Sequence, residues 1–480
     1  MHICLWDTRG RFVSKDFAGG FGVGMFPGGR NLRQRLVRWG YRRDRRPVAL
    51  NFAYLAAIFR RLGHSVEYCV DRLPSDADLY VFNPALQTID LEQTAIRQAL
   101  RQTPRPRVMV VGSVAHALPE SFLSEGVTVL RGEPEQLLWK LSEVFDAKDS
   151  VIDVGSVRDL DALPWPDWST FPHRRFAIRY DFTRFPTALI QQSRGCTFTC
   201  NYCPYIMIEN KTRFRAPEQI VAEIRHGMRY YGFRSFKFRD PLFGLDRKRA
   251  LRLAELIGKL PQKIQFSIES RIDLLRPETL RALKEVGLTA VTVGIETPHE
   301  DTLRQYKRIP IQDDKQRKFV DHCRRLGIRT VAGFMVGFPE DTEQTIKNVL
   351  AYATQVNPTY ANFNIVTPYP GTEFFAQIKD QIADFDFGKY DVYHAVLKYQ
   401  HLTPERVMEL HGRCFERFYF RMRYLRANAH LLWPWLRRFG IGPAPAADQV
   451  GETQSAPAAE NSTLPVLHDT SPGTDRRHAA

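Results

Sequence analysis

Three of the chain's seven cysteines fall within eight residues, Cys196-Thr-Phe-Thr-Cys200-Asn-Tyr-Cys203, directly after the strand-like run Thr187-Ala-Leu-Ile-Gln-Gln192 and an Arg194-Gly195 turn. A structural zinc site needs a fourth Cys or His at ligand spacing, and none follows closely. Three thiolates on one short loop can hold three irons of a cubane iron-sulfur cluster. The missing fourth ligand then leaves one iron open to a substrate or a second cofactor. The alternative is three unrelated thiols that happen to be neighbours.

From Thr187 to about Phe375 the chain alternates short β-rich runs with amphipathic segments of helical length. Strands are expected at 187–192, 235–239, 264–268, 290–295, 329–335 and 360–366, with helices at 217–231, 246–260, 277–286, 312–326 and 341–355. Pro217 and Pro277 stand at favoured first positions of their helices. Six strand-helix repeats demand right-handed parallel crossovers, so a partial (β/α)6 barrel of TIM type is expected. Reactive groups in such barrels sit at the C-terminal ends of the strands. Those ends read Phe238-Arg-Asp240-Pro, Ser267-Ile-Glu269-Ser-Arg271, Gly294-Ile-Glu296-Thr297 and Gly333-Phe-Met-Val-Gly337-Phe-Pro339.

Residues 1–145 show five further β-like segments, His2–Trp6, Ser65–Val70, Asp78–Phe82, Arg107–Val111 and Val127–Leu130, separated by helical patterns. Continuous apolar strands alternating with helices argue for an open, doubly wound parallel sheet, which binds ligands outside its C-terminal strand edge. The expected organisation is therefore this α/β domain at 1–145, a docked linker at 146–186, the barrel at 187–378, a helical region at 379–440 and a disordered tail at 441–480. The linker contains Pro164, Trp165, Pro166, Trp168, Phe171 and Pro172, which deny it regular structure but give it something to bury.

The pattern C-x3-C-x2-C, with Tyr202 before the last Cys, resembles the cluster loop of the radical S-adenosylmethionine (SAM) enzymes. That resemblance implies a 4Fe-4S cluster whose open iron chelates the amino and carboxylate groups of SAM. An electron from a donor such as flavodoxin or ferredoxin would then cleave the sulfonium to a 5′-deoxyadenosyl radical. By the same resemblance Asp240 stands where many members place a Gly-Gly-Glu that receives the SAM amino group. Glu296 and Arg271 resemble the residues that meet its ribose and carboxylate, and Gly333 and Gly337 belong to the stretch beside adenine. Arg271 could instead simply pair with Glu296.

In the first third, Val110-Val-Gly112-Ser-Val-Ala-His116-Ala-Leu-Pro119-Glu120 and Leu130-Arg-Gly132-Glu133-Pro-Glu135 resemble the B12-binding half of the cobalamin-dependent radical SAM enzymes, of class B methyltransferase type. Together with the barrel, the likeness covers most of residues 1–420. It implies cobalamin between the facing strand ends, with SAM and substrate close by. The Asp-x-His-x-x-Gly signature that supplies a lower axial histidine in many B12 proteins would fall at Asp7-Thr-Arg9-Gly-Arg-Phe12. Arginine does not ligate cobalt as a neutral nitrogen donor. The lower cobalt face is therefore expected to lack a histidine from that motif.

Apolar and charged fractions of 44% and 25% are those of a chain able to bury a core. Scattered Cys4, Cys69, Cys323 and Cys414 read as reduced buried thiols, and the start lacks the pattern of a secretion signal. These features point to the cytoplasm. The net charge is +15, and eleven Lys and Arg lie between Arg9 and Arg46. Within that stretch, the glycine-rich run Phe17–Gly29 lacks the Gly-Lys-Ser/Thr of a phosphate loop. It is expected to cover cobalamin or an anionic substrate group, or to be a surface insertion. Aromatic and Arg residues interleave near the C-terminus, where core packing is expected for 405–426 and peripheral membrane contact for 431–439.

The expected function is methyl transfer to an unactivated carbon of a lipid-like or natural-product small molecule. Cyclisation or rearrangement in the same family, or SAM cleavage without functional cobalamin, are the neighbouring alternatives. An iron-sulfur RNA-binding protein would use the basic patches, but no RNA module is recognised and nucleic acid is not the expected partner.

Overall fold

Because the strands of the first third are apolar on both faces, they need helices on either side of them. The computed structural model, which describes residues 1–8, 13–24, 31–41, 45–148, 150–312 and 314–428, has that arrangement. Strands β1 (His2–Asp7), β2 (Ser65–Val70), β3 (Leu79–Phe82), β4 (Arg107–Val110), β5 (Val127–Gly132) and β6 (Val151–Gly155) lie in the order β2-β1-β3-β4-β5-β6. Every pairing is parallel. The order reverses between β1 and β3, which opens a crevice at the C-terminal strand ends. Strand β6 lies where an irregular linker was expected. Its five residues are mostly part-exposed on the sheet edge, so they carry almost no apolar alternation to read.

The second sheet contains β7 (Thr187–Ile190), then, after a two-residue antiparallel ribbon of β8 (Ser193–Arg194) and β9 (Arg213–Phe214), strands β10 (Ser235–Phe238), β11 (Gln265–Ser270), β12 (Leu288–Glu296), β13 (Arg329–Val336) and β14 (Tyr360–Ile365). It runs β7-β10-β11-β12-β13-β14, parallel throughout, as the expected six-repeat barrel. Helices Pro217–Tyr230, Arg247–Gly258, Pro277–Glu285, Lys315–Arg325 and Glu343–Val356 cover it. Their starts are chemically marked: the Asp246 carboxylate accepts from the Arg249 N–H, and Thr342 and Thr345 cap each other. Along β12, Thr292, Gly294 and Glu296 share the less buried face, while Val291, Val293 and Ile295 pack outward under helices.

The segment after β6 packs between sheet and barrel. Trp168 meets Phe176 and Phe233 edge-on at 6.0 and 5.9 Å. Asp167 accepts from Arg60 and from the Tyr231 hydroxyl. These contacts join all described parts of residues 1–428 into one compact unit.

Helix Pro404–Tyr419 closes the open side of the barrel, with Phe415 and Phe418 against Phe363 of β14. Core packing was expected here and is what the aromatic face does. Buried His411 donates Nε2–H to the Phe363 carbonyl at 2.8 Å, and burial pulls its pKa down to about 4. The unfolded chain, with a histidine pKa of about 6.5, takes up this proton first. The stabilisation is therefore full above about pH 6.5 and is lost as pH falls toward 4. Lowering the pH from 7 to 5 should cost about 2 kcal/mol through this residue. Urea titrations at the two pH values test this: a His411→Gln variant should lose that part of the acid slope, and an unchanged slope contradicts it.

Among the described residues no helix is long and apolar enough to cross a membrane. The expected membrane-contact stretch 431–439, the tail 441–480 and Arg9 lie outside the described residues.

Candidate active site at the facing strand ends

The cluster loop starts from a turn built by Asp240. This fully buried carboxylate accepts from the backbone N–H of Gln192 and Ser193 and from Ser193 Oγ at 2.7 Å. Burial pushes its carboxyl up to about 7, the hydrogen bonds opposing. Both Asp240 oxygens face these donors, so the expectation that Asp240 receives the SAM amino group is replaced by a positioning role under the loop. Gly195 then turns the chain at φ +83°, where a Cβ would overlap the Lys211 carbonyl; only glycine fits.

Cys196 and Cys200 are buried and Cys203 is partly so. Burial raises the Cys196 thiol and brings Cys203 up to about 12, with neighbouring thiols adding to the shift. The donor set, three thiols on one short loop, fits a multinuclear cluster.

Around the loop stand Glu296 at the end of β12, Arg271 just after β11, and Arg308 from the connection that follows β12. Arg308 places Nη1 4.0 Å from Cys200 Sγ, donates Nη2–H to the Gly294 carbonyl at 2.7 Å, and pairs with Glu296 at 3.2 Å. Burial pushes the Glu296 carboxyl up, with Arg308 and then Arg271 pulling it back. Arg271 does not pair with Glu296; it forks onto Asp273 at 3.0 Å and lies over the Phe198 ring at 4.3 Å. Its Nη1 and the Tyr202 hydroxyl are buried without a hydrogen-bond partner among the described residues. Such orphaned donors are costly unless a ligand meets them. Gly294 and Gly333 are register partners on β12 and β13, and the Glu296 carboxylate and Arg308 guanidinium lie over Gly294, where a Cβ would overlap them. Gly337 is elsewhere: Asp341 accepts its N–H at 2.7 Å, and a Cβ would press on Ile365 and Val407. It shapes a packed turn and does not open a ligand face.

A cavity of about 190 Å³ lies between the strand ends of the two sheets. Gly112 and Glu133 line it from the first sheet, Gly195 and Tyr205 from the cluster loop, and Arg239 from the barrel. Glu133 takes Arg213 on both oxygens, at 2.9 and 2.8 Å, and the Val157 N–H at 2.7 Å. Burial alone would raise its carboxyl, but Arg194 and Arg213 hold it below the usual range. His116 and Gly132 do not line the cavity. His116 Nδ1 accepts the Gly132 N–H at 3.1 Å, and Gly132, at φ +104°, lets β5 approach Gly155 of β6. No histidine is among the described lining residues.

Residues 13–24 cover the cavity. Ser14 and Val23 pair across the loop, Lys15 reaches Asp7 at 2.8 Å and Glu92 at 2.6 Å, and Asp16 meets Arg239 at 2.6 Å. Arg46 and Arg239 both lie on the Phe17 ring, at 4.6 and 4.4 Å. Lys15 thus ties the segment to the first sheet and Asp16 ties it to the barrel. Lys15, Asp16, Gly19 and Gly20 of this run line the cavity. Replacing Asp16 with Ala removes a charged hydrogen bond of about 1.5–3 kcal/mol. Amide exchange over residues 14–22 should accelerate about 10- to 100-fold; unchanged protection would contradict the tie.

Below the cavity Lys237, which is 1% exposed, pairs with fully buried Asp181 at 2.7 Å and lies 3.4 Å from Glu269; Arg239 also reaches Glu269. Arg308, Arg239 and Lys237 escape a sequence reading because none belongs to a short motif.

Comparison with known proteins agrees with this geometry. Residues 190–353 match the model of the Radical SAM superfamily. An uncharacterized methyltransferase of Pyrococcus horikoshii is 26% identical over 272 residues, 56% of this chain and 58% of that protein. The chain thus matches less than two thirds of that relative's length. The anaerobic magnesium-protoporphyrin IX monomethyl ester cyclase of Cereibacter sphaeroides is 23% identical over 435 residues, 81% of this chain and 70% of the relative. Among solved structures, the radical SAM methyltransferase TsrM from Kitasatospora setae, with cobalamin and a 4Fe-4S cluster bound, shares the fold. The TM-score is 0.54 at 14% identity, covering 80% of this chain and 78% of that one.

Proposed function

We propose that this chain, which carries a radical SAM domain in its barrel, is a cobalamin-dependent methyltransferase. In this reading it holds a 4Fe-4S cluster on Cys196, Cys200 and Cys203 and cleaves SAM with an electron from a flavodoxin- or ferredoxin-like donor. It methylates an unactivated carbon of a small molecule. The observation that carries the reading is a shared wall: the loop bearing the three thiols also lines, through Gly195 and Tyr205, the cavity at the first sheet's strand ends. When bound, the cluster with SAM supplies one-electron chemistry and cobalamin a transferable methyl group.

The chain's residues hold and insulate. Arg271 Nη1 and the Tyr202 hydroxyl offer unmet donors to a polar ligand beside the loop. Gly112 and Glu133 would border cobalamin. Residues 13–24 and their ties to both sheets would exclude water from a reactive intermediate. The cyclase relative's 81% coverage of this chain favours a second reading, radical ring closure with the same cofactors.

Anaerobic reconstitution with iron, sulfide and hydroxocobalamin, followed by gel filtration and metal analysis, tests the two-cofactor reading. The expected result is about four irons and about one corrinoid per chain. A cluster retained without corrinoid would overturn methyl transfer through cobalt.

A further inference from the structure

Away from the cavity, a second group of soft donors stands on the edge pair of the first sheet. In the β1–β2 ladder Cys4 pairs with Glu67 and Trp6 with Cys69, so Cys4, Glu67 and Cys69 share one sheet face. The two sulfurs and a Glu67 carboxylate oxygen all lie within 4.8 Å of one another. Cys4 and Cys69 are buried, while the Glu67 side chain is 29% exposed and opens the group to solvent. His2 Nε2 is 3.2 Å from Glu67 Oε1, and Arg72 Nη2 is 3.8 Å from Cys69 Sγ.

The register argues against a disulfide. Cys4 and Cys69 are offset by two residues on neighbouring strands, which places their Cα atoms about 8 Å apart. A disulfide needs about 4.4–6.8 Å. Two bonds of about 2.3 Å to a shared ion cross the remaining gap between sulfurs without moving the backbone.

We infer that Cys4, Glu67 and Cys69 bind one borderline-soft divalent cation, zinc, with a water as fourth ligand. Two thiolates and a carboxylate suit zinc, whereas calcium and magnesium take oxygen ligands only. Binding releases the two thiol protons; the three anionic ligands and the +2 ion leave one net negative charge, which Arg72 faces. The ion would pin edge strand β2 to β1, whose last residue, Asp7, holds Lys15 of the covering segment. Nothing in this assignment depends on the chemistry of the cluster loop.

The test uses the full-length, cluster-loaded chain, dialysed against zinc and then against metal-free buffer. Mass spectrometric metal analysis should find about one zinc per chain. Zinc-edge X-ray absorption should show two sulfurs at about 2.3 Å with nitrogen or oxygen at about 2.0–2.2 Å. Cys69→Ser should lose the zinc and keep its iron. Glu67→Gln, at a partly exposed position, should weaken zinc at least about tenfold in chelator competition. Zinc at background in the parent chain, zinc that persists in Cys69→Ser, or a shell of three or four sulfurs would overturn the assignment.

Discussion

Replacing Cys200 with Ala abolishes the cluster: after anaerobic reconstitution, iron falls from about four per chain to background, and with it all SAM cleavage. In the proposed reading Cys200 is the middle ligand of the loop, and its Sγ lies 4.0 Å from the Arg308 guanidinium. Two remaining thiols cannot hold three irons. A folding loss is separable from a ligand loss, because the Asp240 turn and the Gly195 bend that shape the loop lie outside the substitution. Circular dichroism should therefore stay at the parent value. Iron retained at about four per chain with an unchanged spectrum would remove the loop from the cluster.

The second large effect is on stability. Lys237→Met leaves the fully buried Asp181 carboxylate with Ser267 Oγ, at 2.9 Å, as its one remaining donor among the described residues. Its other oxygen has no hydrogen-bond partner among the described residues. Breaking a buried pair on one side costs about 3–5 kcal/mol, because the surviving charge stays desolvated. Removing both charges with Lys237→Met and Asp181→Leu should recover most of that loss. Denaturant midpoints of the parent and the three variants form the cycle, and a single variant as stable as the parent would contradict it.

How much of this could be read in advance follows sequence distance. The cysteine triad, its preceding strand and all six barrel strands were legible because each is a local pattern: donors within eight residues, or apolar runs with capped helices between them. Strand β6 was not, because an exposed edge strand of five residues has too little alternation to separate it from a linker. The barrel-end residues were found, yet their partners were not. Arg271 chose Asp273, two residues away, and Glu296 chose Arg308, across a connection with no motif. Asp240 was read as a ligand contact and is a buried anchor, since its role depends on the loop that folds over it. The tie between Asp16 and Arg239 spans 223 residues of chain, and only the packing of sheet on barrel brings them together.

The central claim, reductive SAM cleavage at the loop Cys196–Cys203, is tested most directly by incubating the cluster-loaded chain anaerobically with SAM and dithionite. The adenosine products are then identified by mass spectrometry. The account predicts 5′-deoxyadenosine that requires both reductant and cluster. A chain that carries about four irons and sulfides, accepts electrons from dithionite, and forms no 5′-deoxyadenosine would contradict it.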